Sequence, residues 1–248
     1  MKLIAHRGNS SKAPENTIIS FKKSVISGFK IIEFDVQLSK DNVPVIFHDK
    51  RLERTTNGKG YLKDYLWDEL KKLDAGKWFG EKFIKEKIPS LDEILKLFLG
   101  KTHLQIEIKS NEEALSQIIV NSLEKNLWLK KYNQIPYCIP GFSITSFNIN
   151  QVIKVKKIQP NINVGWLVDK NNNEKNLLEN LLDNNINMYI PNVNSSFWNN
   201  AELKKSLKEN NITICAWGSK KLNDVKKMLY SGADAMTVDW PEEAIKII

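Results

Sequence analysis

Two of the three histidines in this chain lie where side chains often do chemistry. His6, followed by Arg7, comes directly after the apolar residues 3–5, and His48 comes directly after the run 43–47. A histidine that ends a strand is expected at the rim of a sheet or barrel, where it is available for proton transfer. Hydrolysis of a phosphate diester needs a proton acceptor, a proton donor and positive charge beside the non-bridging oxygens. We expect His6 and His48 to act as acid and base, and the planar guanidinium of Arg7 to bind phosphate.

Four further charged residues occur in or directly after apolar runs. Glu33 and Asp35 lie in one run, and Glu107 lies in another, just ahead of Lys109. Residues two apart on a strand share a face, so each pair should point the same way. Crowded carboxylates repel one another, and a divalent cation usually stabilises them; oxygen ligands favour Mg²⁺ or Ca²⁺, with Mn²⁺ as a further candidate. The alternative is an internal salt-bridge network, although burying several charges in apolar strands is costly.

Other polar residues have simpler interpretations. His103 precedes the strand that carries Glu107, so it should lie at the opposite end of a barrel, and we assign it no role. Asn16 and Thr17 could simply cap the first helix. Trp217 follows a predicted strand and is expected to line an apolar side of the pocket, although a tryptophan there is nearly as often part of a core.

Short β-type runs alternate with segments of helical period, which is typical of βα units and a parallel sheet. The predicted strands are 3–6, 31–36, 104–108, 140–144, 163–167, 187–190, 213–216 and 235–238. The predicted helices are 17–27, 91–98, 112–125, 148–158, 177–182, 201–210 and 222–230. Eight strands with interleaved helices predict a (β/α)8 TIM barrel, whose usual length of roughly 250 residues matches this chain.

One segment interrupts this alternation. Residues 43–47 follow the second strand after only four residues, which suits a hairpin rather than a parallel crossover. We expect this added strand to bring His48 to the end of the second strand. The less regular residues 49–90 are predicted to form an insertion beside the barrel within a single domain of residues 1–248. The asparagine-rich stretches 171–173 and 184–187 are predicted polar loops.

The composition limits the classes of partner. The chain has 248 residues with 37 basic and 29 acidic side chains, a formal net charge of +8. The lysines are spread along predicted helices without an arginine-rich run interleaved with aromatic residues, so we expect no nucleic-acid binding. Cys138 and Cys215 lie far apart in predicted buried strands and should be free thiols. No apolar stretch reaches the roughly 20 residues of a membrane helix. With no signal peptide ahead of the first strand, we expect a cytoplasmic protein without stable membrane insertion.

The ordered set of motifs resembles the glycerophosphodiester phosphodiesterase family, and the resemblance spans nearly the whole chain. The matching segments are residues 6–8, 14–17, 33–36, 48–49, 54–56 with Gly58 and Gly60, 107–109, 146–147, Trp217 and 238–241. After Trp217 the family tends to continue with threonine and a short apolar residue, whereas this chain has residues 218–221, Gly-Ser-Lys-Lys. This departure concerns the pocket wall, and so the preferred alcohol, rather than the reaction class.

The resemblance implies a barrel phosphodiesterase of glycerol and lipid metabolism that hydrolyses glycerophosphodiesters to sn-glycerol 3-phosphate and an alcohol, using a divalent cation. By motif match, the metal ligands are Glu33, Asp35 and Glu107, the general acid and base are His6 and His48, and the phosphate ligands are Arg7 and Lys109. A route in this family uses the neighbouring glycerol hydroxyl as nucleophile and gives a cyclic phosphate; His6 as a direct nucleophile would need the same residues.

Two other functions are compatible with parts of this pattern. A lysophospholipase D would use the same site on lysophospholipids and would need an apolar groove beside it. A non-catalytic module for anionic lipid or nucleic acid would follow from the positive charge, but it should have lost part of the site, and all of the site residues are present.

Overall fold

The structure is a computed structural model and describes residues 1–131, 135–170 and 175–248. Nine strands form one sheet: β1 Lys2–His6, β2 Ile31–Leu38, β3 Pro44–Ile46, β4 His103–Ile108, β5 Gly141–Ser146, β6 Val164–Val168, β7 Met188–Pro191, β8 Thr213–Ala216 and β9 Ala235–Val238. The helices are α1 Ile18–Ile26, α2 Trp67–Leu70, α3 Leu91–Phe98, α4 Leu115–Lys125, α5 Trp128–Lys131, α6 Ile149–Ile158, α7 Leu177–Asp183, α8 Ala201–Glu209, α9 Leu222–Ser231 and α10 Pro241–Ala244. The predicted loop at 171–173 lies outside the described residues.

Eight of the strands are parallel and close into a barrel, because β1 pairs with both β9 and β2. The predicted (β/α)8 TIM barrel is therefore confirmed, and each predicted barrel strand overlaps an observed one. The short helices α2, α5 and α10 were not predicted, because four residues are too few to display a helical period.

Alternation of side chains gives each barrel strand two different faces. On β2, Ile32, Phe34 and Val36 point outward into the apolar cluster under the helices. Ile31 belongs to the smaller cluster inside the barrel, so the residues in phase with it, Glu33 and Asp35, also point inward. The interior is thus apolar near the start of the strands and charged toward their carboxyl ends, where TIM barrels place their sites.

The hairpin predicted from the short connection is present. β3 runs antiparallel to the end of β2, with Val36 opposite Ile46 and Leu38 opposite Pro44. The turn includes Asn42 at a φ of 59°, a left-handed conformation that asparagine tolerates well. β1 ends opposite Glu33, so the last residues of β2 extend past the end of β1. β3 pairs with these last residues and brings the chain back to the barrel mouth.

Residues 49–90 connect this hairpin to α3. They include two short 3-10 helices, Leu62–Asp64 and Glu81–Phe83, together with α2. Their apolar side chains pack with those of β3 in a third cluster that contains Val45, Leu52 and Leu70. This segment therefore has its own small core beside the hairpin.

The first helix begins as its sequence suggests, but with one correction. Thr17 is the N-cap of α1, and its hydroxyl accepts a hydrogen bond from the backbone N–H of Ser20 at 3.4 Å. Asn16 does not cap the helix: its side-chain amide donates to Asp35 Oδ2 at 2.8 Å. A left-handed backbone at Asn16, with a φ of 57°, turns this side chain toward the barrel.

Both cysteines are free thiols, but Cys138 does not lie in a buried strand as predicted. Cys215 is buried in β8 as expected. Cys138 lies in the loop before β5 and is half-buried, so the prediction of a buried strand at this position is wrong. Its apolar neighbours belong to a connection that positions its carbonyl oxygen 2.9 Å from His103 Nδ1.

Among the described residues, no helix has both the length and the apolar character that crossing a membrane requires.

His103 lies at the amino end of β4, away from the charged end of the barrel, as predicted. The Cys138 carbonyl accepts a hydrogen bond from Nδ1, so Nε2 accepts one from the Ser143 hydroxyl at 3.1 Å. The ring is fully buried and neutral, and burial lowers the pKa of His103 to about 4.

We predict a specific acid sensitivity from this histidine. Its pKa is about 6.5 in the unfolded chain and lower in the folded protein, so the unfolded state binds the extra proton first as the pH falls. The free energy of unfolding should therefore decrease between about pH 6.5 and 4, by about 3 kcal/mol from this group. His103→Gln, measured by urea unfolding across this range, should show a shallower pH dependence than the parent protein. Parallel curves for the two proteins would contradict this interpretation.

Candidate active site

The carboxyl ends of the barrel strands surround a cavity. Its lining includes His6, Arg7, Glu33, His48, Glu107, Lys109 and Trp217. Asp35, the remaining predicted site residue, is fully buried beside them. The structure therefore brings together all eight residues proposed from sequence, although they come from five separate parts of the chain.

Three carboxylates form the floor of this site. One oxygen from each of Glu33, Asp35 and Glu107 lies within 4.8 Å of the other two. The strand register explains this arrangement, because Asp35 on β2 stands directly beside Glu107 on β4. All three side chains are buried, so water does little to screen their mutual repulsion.

Two cations partly compensate these charges. Lys109 Nζ lies 2.8 Å from Glu107 Oε1 and 3.3 Å from Asp35 Oδ1. Arg7 Nε lies 3.2 Å from Asp35 Oδ2. Asp35 is therefore held between two cations, while Glu107 has one and Glu33 has neither as an ion-pair partner among the described residues.

The pKa values follow this uneven compensation. Burial alone would raise the pKa of Asp35, but Arg7 and Lys109 outweigh it and hold the pKa well below its usual range. Burial and the charge of Asp35 raise the pKa of Glu107 to about 7. For Glu33, burial followed by the charges of Asp35 and Glu107 raises the pKa well above its usual range. Three buried carboxylates thus face two cations, and without further positive charge Glu33 and Glu107 tend to retain protons.

This imbalance favours one of the two interpretations of the carboxylates. A salt-bridge network exists, but it leaves Glu33 Oε1 buried without a hydrogen-bond partner among the described residues. The other oxygen, Oε2, accepts the backbone N–H of Arg7 at 3.1 Å. A buried, unpaired carboxylate oxygen beside two further carboxylates is a suitable ligand set for a hard divalent cation. The acidic cluster therefore fits a metal ion better than it fits a closed network.

His6 is paired with a carboxylate that follows the last barrel strand. Its Nδ1 lies 2.5 Å from Asp239 Oδ1, and its Nε2 lies 3.8 Å from Glu33 Oε2. Burial alone would raise the pKa of Asp239, but the hydrogen bond from His6 and the charges of His6, Arg7 and Lys220 together outweigh it and lower the pKa. An ionised carboxylate only accepts hydrogen bonds, so the Nδ1 of His6 carries a proton and Nε2 faces the acidic cluster.

His48 has the same type of partner within its own loop. Its Nδ1 lies 2.6 Å from Asp49 Oδ1. The loop is fixed to the barrel by Gln37, whose amide donates to the carbonyl oxygens of Phe47, His48 and Asp49 at 2.8 to 3.0 Å. Burial lowers the pKa of His48, which favours its neutral form. The hairpin thus presents a second oriented histidine to the cavity that His6 also lines.

The guanidinium of Arg54 connects the loop that carries His48 to the loop that carries Arg7. Arg54 Nε lies 2.5 Å from Asp49 Oδ2, and Arg54 NH1 lies 2.8 Å from Glu15 Oε2. Glu15 Oε1 in turn accepts from Arg7 NH1 at 2.7 Å. The loop after β3 and the loop after β1 are therefore joined by ion pairs across the rim.

Another part of the cavity wall is aromatic and carries a lysine. The rings of Trp217 and Phe147 meet edge to face with centroids 4.9 Å apart, and Trp217 Nε1 donates to the carbonyl of Val168 at 2.8 Å. Gly218, with a φ of 81°, lets the chain turn so that Lys220 also lines the cavity. The segment that departs from the family pattern thus forms part of this wall.

Several residues that contact the site have no role assigned from the sequence. Asp239 is in phase with the inward side chains of β9, Ala235 and Thr237, so the two-residue period could have indicated it. Periodicity gives no signal for Glu15 and Arg54, because both lie in irregular loops, but both fall in segments that match the family pattern, residues 14–17 and 54–56.

The fold and the site define a TIM-barrel enzyme with an acidic centre, two carboxylate-paired histidines and two cations. The model of the glycerophosphoryl diester phosphodiesterase family matches residues 6–243. The chain is 36% identical to the glycerophosphodiester phosphodiesterase of Caldanaerobacter subterraneus subsp. tengcongensis, over 99% of this chain and 97% of that protein. It is 30% identical to the glycerophosphodiester phosphodiesterase of Bacillus altitudinis, again over 99% and 97% of the two chains.

A solved structure agrees with these relatives. An Oleispira antarctica phosphodiesterase in complex with the product sn-glycerol-3-phosphate superposes with a TM-score of 0.85 and 29% identity, over 100% of this chain and 96% of that one. This chain belongs to the glycerophosphoryl diester phosphodiesterase family. The predicted family and enzyme class are thus confirmed.

We predict that Glu33→Gln relieves the same charge repulsion that a divalent cation relieves, and that the variant therefore loses most of the cation's stabilising effect. In chelator, Glu33→Gln should unfold at a temperature equal to or above that of the parent, because it removes an undercompensated buried carboxylate. Saturating Mg²⁺, Ca²⁺ or Mn²⁺ should stabilise the parent by about 3 kcal/mol at 100 times Kd, and the variant much less. Calorimetry measures both effects.

The matched control is Glu113→Gln, which removes an exposed carboxylate outside the site. It should respond to the cation as the parent does. Equal stabilisation of the parent and Glu33→Gln by the cation would exclude Glu33 as a ligand.

Proposed function

We propose that this protein hydrolyses glycerophosphodiesters to sn-glycerol 3-phosphate and an alcohol in a reaction that depends on a divalent cation. The observation that carries this proposal is the convergence, on one cavity, of the acidic cluster, two carboxylate-paired histidines and two cations. The family assignment and the product bound by the Oleispira relative support the substrate class.

The two histidines transfer protons. We assign the acceptor to His48, because its burial favours the neutral imidazole, and the donor to His6, which lines the same cavity. Asp49 and Asp239 hold the Nδ1 protons, which leaves both Nε2 atoms for the substrate. Proton removal from a nucleophilic hydroxyl and proton delivery to the leaving alkoxide then occur without a change of ring orientation.

Positive charge at the cavity binds the phosphate. Arg7 and Lys109 line the cavity and approach the non-bridging oxygens, and their pairing with Asp35 keeps both side chains in place. Glu33, Asp35 and Glu107 hold the cation, which when bound supplies Lewis-acid stabilisation of the phosphoryl oxygens. The neighbouring glycerol hydroxyl is the nucleophile in the route that the family resemblance implies, with water opening the resulting cyclic phosphate.

The apolar wall is too limited for a long acyl chain. Its hydrophobic lining consists of Phe147, Leu167 and Trp217, and the rest of the cavity is largely polar. This favours deacylated diesters over lysophospholipids, so the lysophospholipase D alternative is the second candidate.

We further propose that Trp217 contacts the substrate. Residues 1–248 would act as one catalytic domain with residues 49–90 as its insertion. We also propose that the protein acts in the cytoplasm on a small-molecule substrate.

The reaction itself is the first prediction from this proposal. With Mg²⁺, Ca²⁺ or Mn²⁺, the protein should release sn-glycerol 3-phosphate from glycerophosphocholine, glycerophosphoethanolamine or glycerophosphoglycerol, and excess chelator should abolish the release. An enzymatic assay for sn-glycerol 3-phosphate measures both. Release from none of these diesters with any of the ions would refute the proposal, and hydrolysis of lysophospholipids alone would favour the lysophospholipase D.

The two site histidines should be essential, whereas the third should not. His6→Ala and His48→Ala should each lower kcat by about 10²-fold or more, because each removes a proton-transfer group. His103→Gln serves as the control and should retain kcat, since His103 lies at the opposite end of the barrel. The assay is run on protein whose circular dichroism matches that of the parent. If either alanine variant kept full kcat, the assigned role of that histidine would be wrong.

A further inference from the structure

Arg54 makes an unusually complete set of ion pairs for a loop residue. One edge of its guanidinium, Nε and NH2, contacts the two carboxylate oxygens of Asp49 at 2.5 and 3.0 Å. The other side, NH1 and NH2, contacts the two oxygens of Glu15 at 2.8 and 2.7 Å. Both carboxylates are therefore bound in a bidentate manner by a single planar group.

Each carboxylate is also the partner of a residue that lines the cavity. Asp49 accepts the hydrogen bond from His48 Nδ1 at 2.6 Å. Glu15 accepts one from Arg7 NH1 at 2.7 Å. Arg54 does not line the cavity, so it reaches the reacting groups only through these two carboxylates.

His48 needs such support more than His6 does. His6 is the last residue of barrel strand β1, which is paired on both sides. His48 instead follows the three-residue strand β3, and Asp49, the residue that orients its ring, is in the same loop. Arg54 ties that loop to Glu15, in the loop between β1 and α1.

We propose that Arg54 is a positioning residue that sets the orientation of His48 by clamping Asp49 against Glu15. This inference rests on the proposed function, since it assigns the clamp a purpose in proton transfer. Lysine would keep the positive charge but has no planar fork, so it would not hold both carboxylates in this geometry. The fork, rather than the charge, is the feature that the proposal requires.

Kinetics of three variants test this role. Arg54→Ala and Arg54→Lys should each lower kcat for glycerophosphocholine by at least about 10-fold, as loss of a supporting partner commonly does, with a smaller change in KM. The matched control is Arg51→Ala. Arg51 lies in the same segment, but it is exposed, and its partners, Glu53 at 2.6 Å and the ring of Tyr61, do not line the cavity. It should retain kcat within about twofold.

A double-mutant cycle separates positioning from general stability. In the His48→Ala background the oriented ring is gone, so Arg54→Ala should cost less than about threefold in kcat. A purely structural role would lower kcat by the same factor in both backgrounds. Retention of kcat by both Arg54 variants in the otherwise unchanged protein, or an undiminished loss in the His48→Ala background, would overturn the proposal.

A spectroscopic measurement keeps the test independent of activity. With only three histidines, ¹⁵N-detected spectra of the imidazole rings give one resolvable set of signals for each. Arg54→Ala should change the tautomer or line width of the His48 signals and leave those of the buried His103 unchanged. Unchanged His48 signals would refute positioning even if the parent protein hydrolysed none of the diesters, a result that by itself would refute only the proposed function.

Discussion

The site depends on one constraint, the placement of like charges on adjacent parallel strands. The register of β2 and β4 sets Asp35 beside Glu107, and the two-residue period adds Glu33 to the same buried face. Such a group is costly in an apolar barrel unless cations neutralise it. Arg7 and Lys109 neutralise Asp35 most effectively, and the remaining deficit supports the proposal that the cluster binds a divalent cation and, with it, an anionic substrate.

The positions of the histidines follow from the same geometry. His6 ends the strand next to β2 and stands opposite Glu33 in the register. The hairpin returns from the end of β2, so the backbone N–H of Phe47 donates to the carbonyl of Asp35 at 3.0 Å, and His48 comes next. The two histidines and the three carboxylates therefore lie on β2 or beside it, on strands that pair with β2. The aspartates beside the two histidines then fix which ring nitrogen faces the cavity.

The barrel and the inward residues were predictable from sequence because both depend on local periodicity. Apolar runs located the strands, and their period of two placed Glu33 and Asp35 together. Contacts made by irregular loops were not predictable: the ion pairs of Arg54 depend on a loop path that no pattern encodes. Cys138 was misassigned for a related reason, because apolar residues in a packed loop resemble a short strand. The roles of the site residues remain predictions that the geometry supports.

Anomalous diffraction from crystals grown with Mn²⁺ tests the central claim most directly. The account predicts one strong peak at the barrel mouth, within bonding distance of at least one oxygen from each of Glu33, Asp35 and Glu107. A peak at another position, or an ion-free cluster in which the three carboxylates contact only Arg7, Lys109 and water at saturating Mn²⁺, would contradict it.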